Sequence, residues 1–490
     1  MRSPSAFVQK AEKPCLLRFQ ERRFNETMKK IKVGYLPFYI KLYDDNGQDR
    51  TPLVSHMEKL IAMLEEKGLE VVRTQEICRI REEFDRAADL FNTEDVDVVI
   101  TQHLAYSPSL ESIGALLRLK APIVVFDTTP DYQLLAVADK KNCIDNDHGI
   151  HGVQDMCCML QKNNHPYYIC AGHAFHSSVV DRVVGMCRAI AAAKFFRTAK
   201  IGSVGGSFVG MGDFLISDED YRRDIGAVVR YMTKDVTETY LAAVTDAEIR
   251  AEMASDREKY NCEITDEENY YKATQSGLAV RKWMEAEGLN CCTVNFLTLD
   301  ECGLPKMPFI ECCKILDRGL GYAGEGDVLT AGLVGALASV YPGTTFTEMF
   351  CPDWEQNVIL LSHMGESNPR LAQWKPLLAN MRFRYNSCGD TVSMYNCYRP
   401  GKVVYVNLAP MDGHYHLILT EGELLDAGLQ DGAYRRNTQG WFKPCMPVSD
   451  FLEAYSYAGG THHSAMVYDA DIAELRAFGK MMGFEVIEIR

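Results

Sequence analysis

The sequence predicts an α/β protein in which two doubly wound α/β domains are followed by a mostly antiparallel β C-terminal domain. Three observations carry this expectation. Residues 96–101 (VDVVIT) and 123–126 (IVVF) are apolar runs of the kind that parallel strands show when helices cover both faces. Helical periodicity separates such runs, as in residues 53–68 (LVSHMEKLIAMLEEKG), which stop at a glycine. From about Ala331 the texture changes to short strands punctuated by turns, which predicts antiparallel pairing or a barrel.

Taken in order, residues 1–27 carry basic residues without an apolar core and do not read as a secretory signal; MKKIKVGYLPFY from Met28 looks like a natural start. Residues 1–27 are therefore expected to be a disordered extension, residues 28–175 an N-terminal α/β domain, 176–330 a central α/β domain and 331–490 a β-rich domain. KVGYLPFY is a strand. His103 and Asp127 sit just past two strand ends, where ligands gather in doubly wound sheets. After residues 168–170 comes a helical run, 178–196, then a strand at 200–204 and a glycine-rich loop, SVGGSFVGMGDF. That loop lacks both GxxxxGK[ST] and GxGxxG and is read as an ordinary loop. Charged helical stretches over 221–288 and a strand at 292–297 complete the central domain. TTFTEMF, NVILLSH, KVVYVNL, HYHLILT, the segment around His462 and His463, a short helix and FEVIEI make up the last. His414 and His416 alternate onto one strand face and are read as strand-face residues.

The chain has 490 residues, 47% hydrophobic and 24% charged, and a net charge of −15. It is long enough for several cores, and its acidity argues against a nucleic-acid partner. No apolar run reaches the length of about 18 residues that spans a bilayer. The seventeen cysteines include no CxxC pair, so neither a zinc ribbon nor a secreted disulfide framework is expected. They read as small core hydrophobes in a reducing cytoplasm.

Chemistry concentrates near residues 321–363. Glu325 and Asp327 lie in a glycine-flanked turn ahead of a small-residue helix. Alternation puts Phe346, Glu348 and Phe350 on one face, so a carboxylate shares an apolar side. His363 ends a run in which it points the same way as Ile359 and Leu361. Taken singly, Glu325 could serve only the helix dipole, Glu348 a buried arginine and His363 a satisfied core position. Together, two carboxylates and an imidazole on buried faces suit a divalent cation. In AGGTHHSAMV, strand alternation allows only one of His462 and His463 to share a face with that ion.

GEGD with its following helix, FTE, SHM and GGTHHS resemble, in order and rough spacing, the L-arabinose isomerase family, related to the L-fucose isomerases. Upstream, His103 in TQHLAYSPS resembles the family's histidine in HTFSP, PIVVFDT its PVLHLHT-like strand, and His151-Gly152 its HG. LPFYIKLYD stands in place of an SQHLYG-like segment, and FTEM in place of FME-D, so the metal site looks retained and the sugar pocket rebuilt.

The resemblance implies metal ligation by Glu325, Glu348, His363 and His463, with Glu325 and Glu348 also moving protons. It implies sugar contacts from His462, Asp327 and His103, the last within a neighbouring subunit of a trimer or hexamer. The activity implied is that of a cytoplasmic aldose–ketose isomerase working on a free sugar through an enediolate, with Mn2+, or Co2+ or Zn2+, as cofactor. The alternatives are a metal-dependent epimerase or lyase on the same scaffold, or a non-catalytic sugar-binding protein.

Overall fold

Strand β1 (Lys32–Phe38) is the middle-left member of a five-stranded parallel sheet completed by β2 (Glu70–Arg73), β3 (Val98–His103), β4 (Ile123–Asp127) and β5 (Tyr167–Ala171). The order is β2-β1-β3-β4-β5, a doubly wound arrangement. The structure is a computed structural model and describes residues 30–137, 143–428 and 432–490; the extension expected over residues 1–27 lies outside them.

The apolar runs behave as parallel strands should. Successive side chains feed opposite faces, so Val98 and Ile100 join Val124 and Phe126 in one core, while Val99 joins Ile123 and Val125 in another. The helix Val179–Arg197 lays Val179, Val180, Val183 and Val184 on the first of these cores. Its far end contributes Ala192, Ala193 and Phe196 to the largest core of the molecule.

A second parallel sheet, ordered β10-β9-β6-β7, contains β6 (Lys200–Val204), β7 (Val228–Met232), β9 (Cys291–Val294) and β10 (Gly321–Gly324). Between them in the chain, β8 (Asn261–Glu263) leaves this sheet and pairs in parallel with β13 (Leu377–Met381), itself antiparallel to β14 (Thr391–Tyr395). The helix Val328–Ala338 follows β10, and every one of its residues is buried. Its small apolar composition allows that: it is covered on all sides.

The remaining strands are β11 (Thr344–Asp353), β12 (Val358–Ser362), β15 (Gly401–Pro410), β16 (Tyr415–Leu424), β17 (Gly440–Pro444), β18 (His463–Tyr468) and β19 (Glu485–Ile489). They run β15-β18-β11-β12-β17-β16, and a further β15–β16 pairing closes the ring into an antiparallel barrel, with β19 added in parallel on β16. The predicted class, parallel α/β sheets followed by an antiparallel β domain, is the fold observed. One local expectation changes. Register shifts between Met349 and Cys351 make Phe350 a bulged residue, 48% exposed, so the apolar face of β11 ends at Glu348.

Among the described residues no helix is long and apolar enough to cross a membrane. Among the described residues most cysteines are buried, as expected of core hydrophobes.

Candidate active site

The turn that leaves β10 is conformationally demanding. Glu325 has φ 61° and Gly326 φ 79°, two consecutive left-handed residues, the first with a side chain that disfavours that region. Gly326 is required twice over: a Cβ there would lie 2.2 Å from the Gly206 carbonyl oxygen. This turn swings Glu325 out past the end of β10. It then sets Asp327 as the N-cap of the helix Val328–Ala338, where its Oδ1 accepts from the Thr330 amide at 2.8 Å.

Three strands of the barrel supply the other groups. Glu348 on β11 pairs directly with His463 on β18 and with Ser362 on β12, so His363, one residue beyond Ser362, comes to the same place. Each buried imidazole is held by a carboxylate on its Nδ1 side. His463 Nδ1 lies 3.0 Å from Asp327 Oδ2, and His363 Nδ1 hydrogen-bonds Glu366 Oε2. Glu366 in turn accepts from the buried Tyr322 hydroxyl. That leaves the Nε2 atoms to face the glutamates: His463 Nε2 is 3.4 Å from Glu325 Oε2, and His363 Nε2 is 3.7 Å from Glu348 Oε2. His463 is fully buried, and its Nε2 has no well-formed hydrogen bond among the described residues. Phe214 stacks on the His463 ring at 5.0 Å, and Phe346 stands edge-on to both rings.

The ligand atoms of Glu325, His462 and His463 lie within 4.8 Å of one another, as do those of Glu348, His363 and His463. The two groups share His463. Alternation was expected to part His462 from His463, and here it does not. Strand β18 begins at His463, so His462 belongs to the preceding turn, and the two rings lie 4.2 Å apart. Burial separates them instead. His462 is partly open, its Nδ1 2.6 Å from Asp213 Oδ2 and its Nε2 3.7 Å from Glu325 Oε2.

Burial opposes charge on every one of these groups, and close partners decide the outcome. Burial lowers both histidines, yet Asp213 and Glu325 carry His462 up to about 10, and Asp327 and Glu325 carry His463 up to about 9. At Glu325 burial is overridden by the neighbouring His462 and His463 imidazoles, which hold its carboxyl well below the usual range. At Glu348 burial prevails over the nearby imidazoles and the carboxyl is raised. Among the described residues no lysine or arginine pairs with Asp213, Glu325, Asp327, Glu348 or Glu366. Among the described residues histidine is the one side-chain type able to bring positive charge to this acidic pocket.

His103 lies elsewhere, at the C-terminal end of β3, and none of its ring contacts or close neighbours belongs to this cluster. It is buried, stacked on Phe38 at 4.3 Å, with neither ring nitrogen hydrogen-bonded among the described residues. Burial pushes it down to about 3. His151-Gly152 does meet it: a Cβ at Gly152 would sit 2.3 Å from the His103 ring. Asp213 and Glu366 are the site residues that sequence reading passes over. Asp213 closes the glycine-rich loop after β6, and its place beyond a strand end was the available signal. Glu366 follows His363 by three residues.

Residues 221–343 match the L-arabinose isomerase central domain and residues 343–485 the L-arabinose isomerase C-terminal domain. The L-arabinose isomerases of Aeromonas salmonicida and Aeromonas hydrophila are each 24% identical over 485 residues, covering 95% of this chain and 95% of their own. That of Shouchella clausii is 23% identical over 466 residues, 91% of this chain and 92% of its own. A periplasmic solute binding protein from Actinobacillus succinogenes with bound D-allose, 9% identical, covers 64% of this chain and 92% of its own at a TM-score of 0.18, a likeness that carries no argument. With two adjoining domain families spanning residues 221–485 and relatives aligned almost end to end, the chain belongs to the L-arabinose isomerase family and is a sugar isomerase that interconverts an aldose and its ketose.

Proposed function

We propose that the enzyme depends on a divalent metal ion and moves a proton between C1 and C2 of an unphosphorylated sugar through an enediolate. The observation that carries this reading is the pair of buried imidazoles whose Nδ1 sides are held by Asp327 and Glu366 and whose Nε2 atoms face Glu325 and Glu348. Metal-bound histidines are oriented in this way, with the second ring nitrogen given to a carboxylate. The orphaned Nε2 of His463 fits the same reading. Glu325, Glu348, His363 and His463 would hold the ion, and two carboxylates with two imidazoles suit Mn2+, with Co2+ or Zn2+ able to take the same ligands. When bound, such an ion supplies Lewis-acid polarisation of the substrate carbonyl.

The rest of the chemistry belongs to the chain. Glu325 and Glu348 serve as the proton-transfer pair, the two carboxylates that face the Nε2 atoms of His463 and His363 from opposite layers of the site. His462, held by Asp213 and partly open, orients a sugar hydroxyl, and Asp327 keeps its neighbouring histidine in place from within the same site. The absence of a paired lysine or arginine among the described residues favours a neutral sugar over a sugar phosphate. His103 would serve a sugar bound to another copy, its ring nitrogens, without a hydrogen bond among the described residues, lying where doubly wound sheets receive ligands. The chain would then work as a homo-oligomer, trimer or hexamer, in the cytoplasm. A screen of unphosphorylated pentoses and hexoses with Mn2+, read as ketose formed, tests the proposal. Ketose from none of the free sugars, but from sugar phosphates, would overturn it.

A further inference from the structure

At the start of β16 a second group of possible ligands comes together, and no step of the isomerisation uses it. His416 is the second residue of β16, and Glu485, the first residue of β19, is its direct partner in the parallel pairing of those strands. His414 lies in the bend just before β16, and its ring stands 5.0 Å from that of His416. The ligand atoms of the three residues lie within 4.8 Å of one another.

The hydrogen bonds fix which ring nitrogens are free. His416 Nδ1 lies 2.8 Å from the Ala458 carbonyl oxygen and His414 Nδ1 3.1 Å from the Asp412 carbonyl oxygen. A carbonyl can only accept, so both Nδ1 atoms carry the proton and donate it, and in the neutral rings both Nε2 atoms keep their lone pairs. These two lone pairs face each other across 3.1 Å, with Glu485 Oε2 3.5 Å from His416 Nε2. Two imidazole acceptors and a carboxylate at such distances repel unless something positive lies among them. A proton can bridge two of the atoms, whereas a metal ion can be shared by all three.

We propose that His414, His416 and Glu485 form a second metal site that takes a borderline divalent ion of the zinc class. Two imidazole nitrogens at about 2.0–2.1 Å from a tetrahedral ion stand roughly 3.3 Å apart, close to the separation here. The backbone carbonyls on both Nδ1 atoms are the outer contacts that ligating histidines use. Three protein ligands leave a fourth position for water. An ion at this site fastens the final strand to β16. Through the Ala458 carbonyl it also steadies the turn that leads, four residues on, to His462. The proposal is independent of the metal chemistry assigned to Glu325, Glu348, His363 and His463.

Zinc content after equilibrium dialysis of the full chain tests it, with His414→Ala, Glu485→Gln and His363→Ala measured beside the wild type. The wild type is expected to bind two equivalents of Zn2+ per chain. His414→Ala should bind one and Glu485→Gln should bind the second more weakly, both keeping their Mn2+-supported isomerase activity. His363→Ala should keep the equivalent that His414→Ala loses. His414 is exposed, so its replacement does not threaten the fold. Wild-type uptake equal to that of His414→Ala, or a single wild-type equivalent lost on His363→Ala, would overturn the proposal.

Discussion

Asp327 and Glu366 touch their histidines and not the glutamates, so their worth lies in orientation. Asp327→Asn and Glu366→Gln are each expected to weaken Mn2+ binding by about 10–100-fold, the usual effect of losing such a contact, while the fold is retained. Titration calorimetry of the metal-free variants checks this. The histidine pair gives a sharper contrast. His463→Ala should lose the ion, because it removes a fully buried ligand, and its activity should recover only with excess Mn2+. His462→Ala should keep its metal content while KM rises or kcat falls, since its partly open ring is placed for the sugar. Loss of the ion from His462→Ala alone would reverse these roles. Much of this cluster was legible in the sequence, because a carboxylate or imidazole on an apolar face stands out one residue at a time. Asp213 was not: it meets His462 across 249 positions, and no local pattern announces such a contact.

At the scale of elements, periodicity located the strands but not their irregularities. Phe350 fits the alternation of β11 and is nevertheless bulged out, because a bulge depends on the register of the neighbouring strand. Strand β7 lies inside a charged, helix-like stretch, and only one of its five residues is buried. The turn after β10 shows the reverse, a local feature that the sequence states openly. Gly326→Ala should destabilise the fold by roughly 2 kcal/mol or more, since it combines left-handed strain with a backbone clash, and should also lower metal content by moving Glu325. Urea unfolding with metal analysis reads both effects. A second expectation follows from His103, packed between β3 and the helix Gly149–Lys162. Its folded value is depressed, so the unfolded chain binds a proton there below about pH 6.5 and the folded chain does not. Stability should therefore fall as pH drops from 7 to 5, by roughly 2 kcal/mol for this one group. His103→Asn should show a correspondingly shallower loss in denaturant titrations at the two pH values.

Across the whole molecule, the site exists because a parallel sheet and a closed barrel meet end to end. Glu325 and Asp327 leave the tip of β10, whereas Glu348, His363 and His463 come from adjacent barrel strands. Sequence reading recovered both layers and their order, since each has its own periodicity, but barrel closure through the β15–β16 pairing is a property of three dimensions. An ion held between the two layers would tie them together. Mn2+ at a hundredfold excess over its Kd should add about 2.7 kcal/mol to folding stability, seen as a higher thermal midpoint that a chelator removes. The most direct test of metal-dependent isomerisation is ketose formation from a free aldose by chelator-treated protein before and after Mn2+ is restored. No turnover without the ion and recovery on its return is the result expected; full turnover in the metal-free protein would contradict the account.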